Sequence, residues 1–159
     1  LEGAELELGF RPIDDLRINI YAGYLDASYD SLSPRALQSG ITLASRLPNT
    51  SKWQYGASIS YEFALSEGLT LRPHVDWSYR SSLELDAANE PLLRQSGYSL
   101  VNAVLTLTPP DERWAVSLSG RNLTDEAYLV SGIAQYNIGE IEGQYARGRE
   151  WALSLRYRF

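Results

Sequence analysis

Arg72, His74, Asp76 and Arg80 form the densest set of chemically capable side chains in the sequence. A histidine and a carboxylate two residues apart on a strand share a face and could begin a metal site. Two ligands do not fill a coordination sphere, and His74 is the only histidine in a chain without cysteine. No metal site and no cofactor is expected. Serines recur at alternate positions (Ser58 and Ser60, Ser78, Ser117 and Ser119), but a nucleophilic serine needs a positioned base. The one imidazole has no diagnostic serine beside it, and no phosphate-binding or dinucleotide fingerprint occurs, so no enzyme is expected. The remaining chemistry is cationic: Arg121, Arg156 and Arg158 also fall at alternate positions.

Alternation of this kind belongs to strands, and the end of the chain shows it best. Trp151, Leu153, Leu155, Tyr157 and Phe159 fall on one face of an extended segment, with Ala152, Ser154, Arg156 and Arg158 on the other. A soluble chain usually frays into polar residues at its terminus. A strand with one face in lipid and the other in a wet lumen has this pattern.

Counting against a period of two gives seven candidate strands, about 3–11, 16–27, 51–63, 69–80, 97–108, 113–123 and the terminal segment. Pro73 interrupts the fourth, where a local bulge is expected, because proline removes a ladder donor. In the fifth, the face carrying Val101, Ala103, Leu105 and Leu107 is the more apolar. Short turn-forming segments at 12–15, 64–68 and 109–112 alternate strictly with long polar segments at 28–50, 81–96 and 124–147. Short turns at one rim and long loops at the other describe an outer-membrane barrel, whereas a soluble sandwich has both kinds at both ends.

Composition agrees. No stretch approaches the roughly 18 apolar residues of a transmembrane helix, and barrel strands escape hydropathy windows. Eleven Tyr and four Trp beside three Phe favour rings that sit between water and lipid. The net charge of −6, without a basic cluster, argues against nucleic acid. The fold class expected is an all-β, antiparallel transmembrane β-barrel wall with short periplasmic turns and long extracellular loops. Arg72, His74, Asp76, Arg80, Arg121, Arg156 and Arg158 would face its lumen. No leader peptide precedes the first strand, so the sequence is expected to continue upstream.

Two segments carry a family resemblance: Trp114-Ala-Val-Ser-Leu-Ser-Gly-Arg-Asn-Leu-Thr-Asp-Glu-Ala-Tyr128 and Gly148-Arg-Glu-Trp-Ala-Leu-Ser-Leu-Arg-Tyr-Arg-Phe159. They resemble the penultimate strand, with its Asn-Leu-x-Asp-x-x-Tyr exit, and the terminal strand of TonB-dependent receptors. Gly3-Ala-Glu-Leu-Glu-Leu8, Gly23-Tyr-Leu-Asp-Ala-Ser-Tyr29 and Gly97-Tyr-Ser-Leu-Val-Asn102 resemble upstream strands of the same barrels. The resemblance implies that residues 1–159 are the C-terminal segment of a plugged barrel of about 22 strands, holding about seven of them, with the plug domain absent.

It further implies an outer-membrane receptor for TonB-driven uptake of a nutrient complex, a ferric siderophore foremost. Implied partners are the TonB complex through the missing N-terminal part, the plug of the same protein, the barrel-assembly machinery, lipid and lipopolysaccharide. The machinery would read Tyr157 and Phe159, although Ser154 and Ala152 stand where the family often has a glycine and a polar residue. Ligand contacts would come from the loops, through Tyr29, Gln135, Tyr136, Asn137 and Tyr145. Two alternatives stand beside this reading: a small independent outer-membrane barrel, porin-like or enzymatic, and a soluble β-sandwich that binds carbohydrate.

Overall fold

The structure, a computed structural model, describes residues Leu1–Phe159. Seven long strands alternate apolar and polar residues: β1 (Glu2–Ile13), β2 (Leu16–Asp26), β3 (Trp53–Tyr61), β5 (Thr70–Arg80), β8 (Tyr98–Thr108), β9 (Trp114–Arg121) and β12 (Glu150–Tyr157). They form one antiparallel sheet in the order β1-β2-β3-β5-β8-β9-β12, and β4 (Phe63–Ala64) continues the pairing on β5. Every long strand pairs with its neighbour in sequence, the meander that hairpin connections produce. The sheet stays open, with β1 and β12 each paired on one side only.

Register makes the alternation collective. Phe10, Ile18, Ile59, Val75, Ala103, Gly120 and Trp151 lie side by side in one row across all seven strands. The neighbouring row, Arg17, Ser60, His74, Val104, Ser119 and Ala152, projects from the opposite face. A slip of one residue would invert a whole strand. Val101, Leu105 and Leu107 fall on the apolar face, as the sequence suggested for that strand.

No bulge forms at Pro73. Ser60 pairs with His74 and Phe63 with Leu71 in one unbroken register, and pairing lapses only at Tyr61–Glu62. Toward β8 the ladder runs through Pro73 opposite Leu105 without a shift. A gap in the ladder on one side is enough to accommodate the missing N–H. The observed bulge is instead in β1, where the register shifts between Phe10 and Ile13. The first turn therefore narrows to Asp14–Asp15.

The three tight connections lie at one rim, the turn rim, together with the chain end, where the Arg158 N–H donates to the Arg113 carbonyl at 2.7 Å. The long connections lie at the other, the loop rim, and they are structured. The first carries the short helix α1 (Pro34–Gln38), capped by the Ser33 hydroxyl accepting from the Ala36 N–H at 3.3 Å. The second carries the two-residue strands β6 (Leu83–Glu84) and β7 (Arg94–Gln95). The third, read from sequence as an irregular loop over 124–147, holds a full hairpin of β10 (Leu129–Gln135) and β11 (Glu140–Tyr145). Its glycines and carboxylates weaken the alternation that identifies a strand.

The apolar core lies in these connections. Leu83, Leu85 and Leu93 form a small buried cluster against which Leu129 and Ala134 pack. Gly132 lets Leu93 approach the hairpin, since a Cβ there would stand 2.5 Å from Leu93 Cδ2. The sheet itself is one layer and buries almost nothing, and large residues such as Leu153 and Leu155 stay about three-quarters exposed at 75% and 74%.

Candidate functional site

Aromatic rings border the apolar face at both rims. Toward the loop rim, Tyr24, Trp53, Tyr55 and Tyr79 form a continuous row with centroid separations of 4.5, 5.8 and 5.9 Å. Toward the turn rim stand Tyr61 against Phe63 at 4.4 Å and Tyr157 against Phe159 at 5.2 Å. Trp53 and Phe63 are separated by about 34 Å of strand at 3.4 Å per residue, and a tilt near 40° projects this to about 26 Å, the height of the apolar band of a transmembrane barrel. No helix is long and apolar enough to cross a membrane, and the strands supply the crossing surface.

The opposite face is polar and locally bonded. Asn102 Nδ2 donates to Asp76 Oδ2 at 2.7 Å, and Asn102 Oδ1 accepts the Asn122 N–H at 2.9 Å. His74 Nε2 lies 4.0 Å from Asp76 Oδ1. Arg72 Nε donates to Glu62 Oε2 at 2.9 Å. No group of three metal-ligating side chains gathers here.

Above this face the three long connections lock together. The Glu84 carboxylate, its side chain 5% exposed, has the guanidinium groups of Arg46 and Arg94 each 3.6 Å from Oε1. Arg46 also donates to the Ser82 carbonyl at 2.6 Å and its backbone N–H to Asn89 Oδ1 at 2.6 Å. Gln95 Oε1 accepts the Leu129 N–H at 2.7 Å, and Tyr136 donates to Glu90 Oε2 at 3.0 Å. Partial desolvation, then this bond to Glu90, holds the Tyr136 phenol above its usual pKa. Tyr128 stacks on Tyr98 at 4.3 Å, and burial, then the Tyr98 phenol, raises its pKa too.

A two-faced antiparallel wall, girdled by aromatics and carrying long connections at one rim, is the geometry of a barrel segment. Residues 1–123 match the family model for the TonB dependent receptor-like β-barrel. The chain belongs to the TonB-dependent receptor family. It is therefore a segment of an outer-membrane barrel wall, in a family of receptors and not of enzymes. No curated protein matches the chain.

Solved receptor structures share the fold. The ferric yersiniabactin uptake receptor FyuA from Yersinia pestis superposes with a TM-score of 0.85 at 21% identity, over 99% of this chain and 23% of its own. BauA, the ferric preacinetobactin receptor from Acinetobacter baumannii, gives 0.72 at 18% identity, over 96% of this chain and 21% of its own. The siderophore receptor PiuA from the same organism gives 0.71 at 20% identity, over 98% and 21%. The chain thus spans less than a quarter of the length of these TonB-dependent receptors.

Within this receptor segment the expected site residues separate into groups. Arg72, His74, Asp76 and Arg80 share the polar face of β5, while Arg121 and Arg156 continue that face on β9 and β12. Tyr157 closes β12, and Phe159 stands fully exposed beyond it. The loop residues are not brought together. Gln135 ends β10, Tyr136 and Asn137 form the hairpin tip, Tyr145 lies at its base opposite Leu129, and Tyr29 is half-buried in the first connection.

Glu84, Arg46 and Gln95, which fasten the loops, escape the sequence reading. The Leu83-Glu84-Leu85 alternation was the only available signal for the buried carboxylate. The Asn-Leu-x-Asp-x-x-Tyr segment was legible as a motif, and the structure gives its physics. Asn122, 6% exposed with φ of 48°, donates from Nδ2 to the carbonyls of Glu126 at 2.9 Å and Arg147 at 3.4 Å and accepts from the Glu126 N–H at 2.9 Å. Asp125 Oδ1 accepts the Arg149 N–H at 2.7 Å. Two side chains hold the outgoing and returning ends of the third connection.

Proposed function

We propose that this segment serves a receptor that takes up a scarce nutrient complex, a ferric siderophore foremost, under the drive of TonB. The wall carries the reading: an apolar face one bilayer high, a bonded polar face, and locked connections at a single rim. The names of FyuA, BauA and PiuA support the substrate class. In this reading the polar face lines the lumen, so Arg72, His74, Asp76, Arg80, Arg121, Arg156 and Arg158 meet water and the plug domain of the same protein. TonB engages the N-terminal part, the apolar face meets lipid and lipopolysaccharide, and Tyr157 with Phe159 is read by the barrel-assembly machinery. Tyr29, Gln135, Tyr136, Asn137 and Tyr145 are proposed ligand contacts, with Tyr136 at the hairpin tip and Tyr145 at its base both well exposed.

The test is uptake of radioactive iron by the full-length receptor in a Gram-negative strain without siderophore receptors of its own. Uptake of at least one ferric siderophore from a chemically varied panel is expected, with loss when TonB is absent. Uptake that persists without TonB, or none from the panel by a correctly inserted receptor, would overturn the reading.

A further inference from the structure

At the loop rim of the polar face a half-open recess of about 370 Å³ lies between β1, β2 and the start of β3. Gly3 and Gly23 leave its floor without side chains, while Glu5, Gln54 and Ser51 supply its polar groups. Ser51 is 2% exposed, and its hydroxyl has no hydrogen-bond partner. A buried hydroxyl left unpaired costs free energy unless something bonds to it. None of the ion pairs in the molecule includes Glu5. The cation nearest in sequence to this recess, Lys52, is held elsewhere. Its Nζ lies 3.3 Å from Asp26 and 5.4 Å from the Tyr24 ring centroid, on the apolar side, and the bond to Asp26 raises its pKa.

We propose that this recess binds an organic ammonium group carried by a ligand entering the receptor. An ammonium presents three donors. The Glu5 carboxylate and the Gln54 amide oxygen present two acceptors, with one negative charge between them, and the unpaired Ser51 hydroxyl lies buried in the wall of the same recess. An anionic group would meet Glu5 without a compensating cation. The recess is thus a charge-selective subsite, and it favours ligands with an amine over their acylated counterparts. The proposal rests on the reading of the polar face as the lumen wall.

The experiment uses the full-length receptor, purified folded in detergent, with Leu25→Cys as a reporter at a lining position that takes no part in the bonding. Alkylation of the introduced thiol by iodoacetamide is timed with n-butylammonium or n-butyrate present. The ammonium is expected to slow alkylation about threefold at twice its dissociation constant, butyrate to leave it unchanged, and Glu5→Gln to abolish the protection. Equal effects of both ions, or no effect of either, would overturn the proposal. So would an unreactive thiol at position 25 beside a reactive Ser58→Cys, because another part of the chain would then fill the recess. Ser58→Cys unreactive while Trp77→Cys on the other face reacts would instead overturn the lumen reading itself. Saturation-transfer NMR of n-butylammonium on the unsubstituted receptor repeats the test without any reporter, and absence of transfer there counts against the site.

Discussion

At the scale of single residues, the decisive groups are those that fasten the loops. Asn122 satisfies backbone groups on both sides of the third connection from one buried amide. Asn122→Ala leaves those groups unpaired and removes a residue tolerant of positive φ, so a local cost of about 1–3 kcal/mol is expected. Hydrogen exchange in the full-length receptor should show the β10–β11 amides opening about tenfold faster or more, with the amides of β5 and β8 unchanged. Uniform exchange rates would refute the clamp. Glu84 gives a sharper contrast. Arg46→Ala with Arg94→Ala strands a buried carboxylate, a change of about 3–5 kcal/mol, whereas Glu84→Leu leaves two part-exposed arginines in water and is nearly neutral. Limited proteolysis of the loops should rank the arginine pair well below Glu84→Leu, and the reverse order would sink the argument. Asn122 was visible as part of a motif. Glu84 was not, because nothing local separates a buried carboxylate from a solvated one before its two arginines arrive from distant segments.

At the scale of elements, one face of each strand is the unit of stability. Leu153 lies in the apolar band beside Leu118, and Ser154 lies opposite Ser117 on the polar face. Leu153→Arg should therefore cost about 2–4 kcal/mol, whereas Ser154→Arg one residue away should cost little. Urea titration of the full-length receptor refolded into phospholipid vesicles measures both, and equal costs would mean that the faces are misassigned. The strands were legible because a period of two is a strong signal when ten residues in succession obey it. Their ends were less so: Pro12 and Ile13 look like turn residues, yet a bulge keeps them in β1. The β10–β11 hairpin was missed because its inward positions include Gly132 and Gly143, which pack against Leu93 and Leu129 without any apolar side chain of their own.

At the scale of the whole molecule, two open edges and an exposed apolar face define what this segment needs. Lipid offers no hydrogen bonds to an unpaired strand, so β1 and β12 require neighbours from the same barrel. Deleting Phe159 from the full-length receptor is expected to lower its outer-membrane level several-fold, with periplasmic protease fragments appearing in its place. Quantitative immunoblotting of membrane fractions decides it, and wild-type levels would reduce Phe159 to a girdle aromatic. The barrel wall was readable in the sequence because each of its strands reports its own two faces. The locked loop cap was not, since its contacts join residues as far apart as Arg46 and Asn89 or Glu90 and Tyr136.

Because Asn122 and Asp125 fix both ends of the third connection at its base, whatever lies between them is a cassette whose closure is settled in advance. Lengthening a closed loop costs only about 0.6 kcal/mol per doubling. Evolution, or a protein engineer, can therefore lengthen the hairpin tip between Gln135 and Glu140, beyond the contacts to Tyr98, Gln95 and Leu93, and give up only the Tyr136–Glu90 bond while the wall below stays undisturbed.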